Sequence, residues 1–185
     1  MLARVLYAAT GHLRGKIISG SNRGEPYLER YYLGRCLGRH FYLHRFIGGD
    51  VAEETHNHPW QSSMALVLSG GYREEIDRLL ANGRKKRVER YRGAGRINRI
   101  KADTLHRIVY ARPETWTLFW HTEQRVQHWG FLVPDEKGGW EIEPHQSRMG
   151  EAWYLKAPKG KELGREPFIW PWKGWAADSS DNRTG

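Results

Sequence analysis

Between Tyr27 and Ile142, short runs of β-branched and aromatic residues recur, each closed by Gly, Pro or Asn, and helical periodicity is scarce. A chain punctuated this often has no room for long helices and folds as antiparallel sheets. The spacing predicts strands over 27–33, 40–47, 64–74, 86–92, 96–101, 106–110, 115–121, 127–133 and 140–143. Turns are expected at 48–50, 82–83, 93–95, 112–114 and 137–139, where Gly or Asn supplies the positive φ that hairpins require. Only 76–81 reads as a helical turn. The number and spacing of strands point to an all-β barrel or jelly roll. Three regions are expected: an N-terminal strand or arm over 1–26, the barrel over 27–143, and a Trp/Pro-rich tail over 144–185. Trp170, Trp172 and Trp175 make that tail too apolar for a free linker, so it should pack on the barrel or on a subunit partner before fraying from Asp178.

No apolar run in the 185 residues approaches the roughly 18 that a membrane span needs. The single cysteine, Cys36, has no partner for a disulfide within the chain, so a reduced cytoplasm is the expected compartment. The first residues, MLARVLYAAT, lack the order of charge and length of a secretory signal and bear a weak likeness to a transit peptide. The net charge is +9, carried by 21 Arg and 9 Lys, a bias suited to forked recognition of phosphates or carboxylates. The densest basic stretch runs from Arg84 to Lys101 and reads either as a solvated sheet edge or as a surface for a nucleotide or nucleic acid.

His56-Asn57-His58-Pro59-Trp60 carries the clearest chemistry. On an extended segment residues i and i+2 project to one side, so His56 and His58 form a candidate chelate. His106, at the head of another expected strand, supplies a third imidazole if the two segments meet across a barrel. Three neutral imidazoles suit a divalent metal, with Fe(II), Zn, Ni and Mn all eligible, and they leave a position open.

At these residues the sequence resembles the cupin superfamily. Its first motif is matched by Gly49 one residue early, by His56 and His58, by Ser63 where a Glu is usual, and by Gly70. The second is matched in spacing by Gly95, Lys101, Asp103 and His106, with Tyr110 at the place of an Asn. The strings HNHPW, GGY, LHR and HWGF, in this order, also resemble small cupin-like proteins found in bacteriophage and bacterial genomes. The resemblance implies a double-stranded β-helix, a metal bound by His56, His58 and His106, and a dimer. With Ser63 in place of the carboxylate, either the ion keeps three His ligands or an acid such as Glu74 or Asp103 completes it. A three-His centre keeps its full charge and favours an anionic substrate. The vacancy is also similar to that of iron halogenases, where halide fills it.

The expectation is therefore a mononuclear Fe(II) oxygenase acting on a small anionic or nucleotide-like substrate. The three-His set departs from the usual two-His-one-carboxylate triad, which argues against 2-oxoglutarate as co-substrate. Arg45, Arg73 and Arg125 are candidates for pairing with the substrate, and Gln61, Ser63, Tyr110 and His128 for lining the site. The alternatives are a non-catalytic cupin that holds a nucleotide or sugar phosphate, and a virion component.

Overall fold

The computed structural model describes residues 1–19, 26–48, 54–145 and 152–169. Helix α1 (Leu2–Thr10) precedes eleven strands: β1 (Gly15–Ser19), β2 (Pro26–Cys36), β3 (Arg39–Phe46), β4 (Ser62–Ser69), β5 (Gly71–Leu79), β6 (Lys85–Gly93), β7 (Ile97–Lys101), β8 (Leu105–Ala111), β9 (Thr115–Thr122), β10 (Gly130–Pro134) and β11 (Trp140–Pro144). One sheet has the order β1-β2-β3-β9-β4-β7, and all its pairings are antiparallel. The second contains β6-β5-β8 and β10-β11, joined by His56, which bridges His106 of β8 on one side and Phe131 of β10 on the other. The chain passes from one sheet to the other between β4 and β5, between β6 and β7, between β7 and β8, between β8 and β9 and between β9 and β10. The result is an all-β jelly-roll sandwich. Among the described residues no helix is long and apolar enough to cross a membrane.

Alternation sorts the side chains of the larger sheet into two faces. Leu28, Arg30 and Tyr32 share the inner face with Tyr42, His44 and Phe46, and register carries this row on to Thr117, Phe119, Ala65 and Val67. Two apolar clusters fill this interior, one around Phe46, Val67 and Tyr72, the other around Tyr42, Ala65, Ile100 and Phe119. The outer face carries Tyr31, Leu43 and Trp116, which would be exposed in a bare sandwich; α1 and residues 163–168 cover them. Burial of each such side chain stabilises the fold by about 1.5–3 kcal/mol.

Three expectations about local structure are corrected. The segment expected to be a strand or arm is helix α1 followed by β1, which pairs with β2 at the edge of the larger sheet. A nine-residue helix is marginal alone, and packing supplies what propensity lacks. Ala3, Leu6 and Tyr7 seat on Leu43 and Trp116, and Arg165 Nη1 donates to Tyr7 O at 2.7 Å near the helix C-terminus. Of residues 76–81, read as a helical turn, 76–79 continue β5, because nine rungs of pairing with β6 outweigh one turn of helix. The expected strand over 64–74 is cut in two at Gly70, whose φ of 71° turns the chain from one sheet to the other. A Cβ at Gly70 would strike Thr115, so no other residue makes this corner without displacing β9. The turn residues Gly49 and Asp50, and Trp170, Trp172, Trp175 and the end of the tail, lie outside the described residues.

Residues 152–169 run back over the barrel. In the 3-10 turn Trp153–Leu155, Trp153 stacks on Tyr42 and the adjacent Tyr154 stacks on Tyr32 with ring centroids 3.8 Å apart, which closes one end of the inner face.

Candidate metal centre

The segment through His56 is held from both sides. His56 N donates to His106 O at 3.0 Å, and His106 N returns a bond to His56 O at 2.9 Å. Asn57, buried, exchanges two bonds with Gly130: its N donates to Gly130 O and its Oδ1 accepts from Gly130 N. Gln127 Nε2 donates to His58 O at 3.0 Å. With the backbone fixed, His56, His58 and His106 turn inward, and their ligand-competent nitrogens lie within 4.8 Å of one another. His106 is buried, whereas His56 and His58 are partly exposed, so the cluster opens to one side.

Hydrogen bonding sets the tautomers. Glu74 Oε1 lies 2.7 Å from His106 Nδ1 and also accepts from Asn98 Nδ2 at 2.7 Å. A carboxylate there makes Nδ1 the protonated nitrogen of His106 and leaves its Nε2 lone pair facing His58 Nε2, 2.7 Å away. Two imidazole nitrogens at that distance share one proton between two lone pairs, an arrangement a cation can enter. Burial pushes the Glu74 carboxyl up, but the His106 hydrogen bond and charge, with Asn98 and Arg92, outweigh it and hold the carboxyl below its usual value. Burial, reinforced by the charges of its neighbours, takes His56 down to about 3 and His58 well below its ordinary value. Both are therefore neutral at physiological pH, which is the metal-binding form. Three converging imidazoles, two of them held neutral by burial and the third aligned by a carboxylate, fit a divalent ion of the borderline type, and His56, His58 and His106 would hold it.

Aromatic rings build the wall beside the trio. Trp60 stacks on His58 at 5.6 Å and on His121 at 3.8 Å, and meets Phe119 at 6.0 Å. His121 Nδ1 donates to Thr122 O, its Nε2 faces Tyr42 OH at 3.3 Å, and burial brings its pKa down to about 4.

The other residues singled out from the sequence fall in different places. Arg45 is buried on the outer face of β3, between Glu29 and Glu114, and does not reach the trio. Arg73 pairs with Glu89 in solvent on the outer face of β5, where Tyr110 is its cross-strand neighbour. Both are thus turned away from the interior, because each is one residue out of step with the inward positions of its strand. Gln61 and His128 are exposed. Arg125 is exposed opposite Trp60, with which its backbone forms a bridge. Ser63 is buried on the inner face, and its Oγ donates to Ile100 O at 3.2 Å. Of the two acids offered as a fourth ligand, Glu74 serves as the partner of His106 and Asp103 is exposed.

Arg30 was missed in the sequence. It points into the barrel from β2, with Nε donating to His44 Nε2 at 2.9 Å. The string YLERYY mixes charge and aromatic on both faces of the strand, so alternation alone does not tell in from out.

No family model and no curated protein matches the chain. Among solved structures it is similar to Fe(II)-HppE, at 12% identity over 57% of this chain and 54% of that one, with a TM-score of 0.41. It is also similar to an RmlC-like cupin from Shewanella frigidimarina NCIMB 400 (16% identity, 61% and 86% covered, TM-score 0.42) and to an oxalate oxidase (19%, 56% and 53%, TM-score 0.40). The chain spans about half the length of the HppE and oxalate oxidase chains. Likeness at this level says nothing of activity. The fold type is read from the chain itself: two facing antiparallel sheets, an HxH pair ahead of β4 and a third histidine on β8, all directed inward. In this barrel Ser63 stands where the motif read from the sequence usually has a Glu, and Glu74 is one step removed from the trio, behind His106.

Proposed function

We propose that this cupin is a metal-dependent enzyme, an Fe(II) oxygenase acting on a small anionic substrate at His56, His58 and His106. The observation that carries the reading is the convergence of three imidazoles within 4.8 Å, one of them aligned by Glu74, on an open side of the barrel interior. Fe(II) bound there supplies a Lewis-acidic centre and one-electron chemistry toward dioxygen. The chain's own contribution is to fix the ligands. Glu74 holds the His106 tautomer, Asn57 and Gln127 pin the backbone of the HxH segment, and Trp60 gives a flat apolar wall that limits water around a substrate.

Imidazole nitrogen also suits Zn and Ni, so the test begins with metal content. Elemental analysis of protein purified without chelator or affinity metal is expected to find close to one ion per chain, lost in His56→Ala/His58→Ala. Addition of Fe(II) is then expected to support oxygen consumption with a small carboxylic or phosphonic acid. Protein that takes up none of Fe(II), Zn, Ni or Mn overturns the reading. Oxygen uptake that is the same in the double variant overturns the oxygenase assignment.

A further inference from the structure

The inner wall also carries two cations and a neutral histidine that the metal reading leaves unused. Lys16, Arg30 and His44 occupy one rung across β1, β2 and β3. Arg30 donates Nε–H to His44 Nε2, and its guanidinium carbon stands 5.5 Å from the centroid of Tyr42 and 5.7 Å from that of Phe119. A guanidinium has five N–H donors, and the charge of a buried one is normally met by a carboxylate. Among the described residues no carboxylate pairs with Arg30. Its neighbours are a neutral imidazole, two aromatic faces and a second cation, Lys16, whose Nζ lies 4.5 Å from the Trp153 ring centroid. Burial holds His44, His58 and His121 below their ordinary range, and the charge of Arg30 adds to the effect at each of them. The rings of Phe119 and Trp60 connect Arg30 to His58, so the cation and the trio look onto the same interior. Arg30, His56 and His58 are all partly exposed, so solvent reaches both ends.

We infer that Arg30 is the anion anchor of this site, receiving the carboxylate or phosphoryl oxygens of a small acid whose other end lies toward the histidine trio. The planar fork matches an oxyanion in bidentate fashion. The inference rests on the metal reading only for what the far end of the acid meets.

The test is isothermal titration of the full chain, metal-free and Zn-loaded, with propionate, propylphosphonate and the neutral propionamide. At least one acid is expected to bind while the amide does not, and Arg30→Met is expected to weaken the acid roughly tenfold or more. Arg30→Lys, which keeps the charge and the bulk, is expected to fall between the two. Circular dichroism shows whether each variant is folded. Equal affinity of wild type and Arg30→Met, equal binding of acid and amide, or binding of neither acid overturns the inference. The metal reading fails separately. A chain that takes no metal yet binds an acid through Arg30 keeps the anchor and loses the trio's role, and one that loads Zn but binds no acid does the reverse.

Discussion

Arg30 and Arg45 lie on adjacent strands of one sheet, face opposite sides of it, and meet opposite surroundings. All five N–H donors of Arg45 are engaged: Nε and Nη2 on Glu114, Nη1 on Glu29, and the remaining two on Glu166 O and Pro167 O. Its acids are equally complete, since Glu29 also accepts from Tyr31 OH and Glu166 N, and Glu114 from Trp116 Nε1 and Ile169 N. Glu114 takes a left-handed φ of 55° to reach this position, at a cost of about 1–2 kcal/mol. The network ties the β8–β9 turn and the returning tail to the outer face. Arg30 engages a single donor with a neutral partner. A saturated buried charge fixes structure and has nothing left to offer a ligand. A partly buried charge with donors to spare weakens the fold it sits in, and that cost is consistent with a site for an anion.

The largest effect expected from this contrast is at the saturated end. Arg45→Leu strands two buried carboxylates and should lower stability by about 3–5 kcal/mol, read from the denaturant midpoint. A loss below about 1 kcal/mol would break the comparison.

Acid comes next. His44 and His121 are held neutral by burial, His121 with a pKa of about 4 against an ordinary value near 6.5. The unfolded chain therefore binds more protons between those values, and stability falls as pH drops below about 6.5, levelling off for His121 near 4. Each group should contribute about 1 kcal/mol of loss by pH 5.5, measured by urea unfolding at pH 7.5 and 5.5. A flat profile would show that these imidazoles are not held neutral.

Glu74→Gln keeps an acceptor for His106 but removes its charge, and should lower metal affinity 10–100-fold in competition with a chromophoric chelator. Unchanged affinity would remove Glu74 from the site.

Arg30→Met should be the mildest, changing stability by less than about 1 kcal/mol because an unsaturated cation gives way to an apolar side chain of similar length. It should also flatten the acid profile, since His44 loses both its donor and the adjacent charge. A loss as large as that of Arg45→Leu would mean that Arg30 is structural too.

The placement of the residues in the chain explains what could be read before folding. Alternation and turn residues mark the strands with boundaries within a few residues, except where 64–74 breaks at Gly70 and where 127–129 precede β10 as a loop. The HxH spacing and the later His106 identify the trio, because i and i+2 share a face in any extended segment and that relation needs no tertiary knowledge. Helix α1 was hidden, because nine residues acquire helical stability only against Leu43 and Trp116, which lie far along the chain. Arginines were the least legible. The sequence offers Arg45 and Arg73 as substrate partners and not Arg30: β2 and β3 are covered on both faces and show no polar side from which to count, while Arg73 stands in solvent on the outer face of β5.

By itself, then, the sequence determined an all-β chain and the three histidines that converge, since period and spacing are local properties of the backbone. Which carboxylate aligns His106, which arginine is saturated and which is left open were decided only by the tertiary structure, because charge partners are chosen by register between strands far apart in the chain.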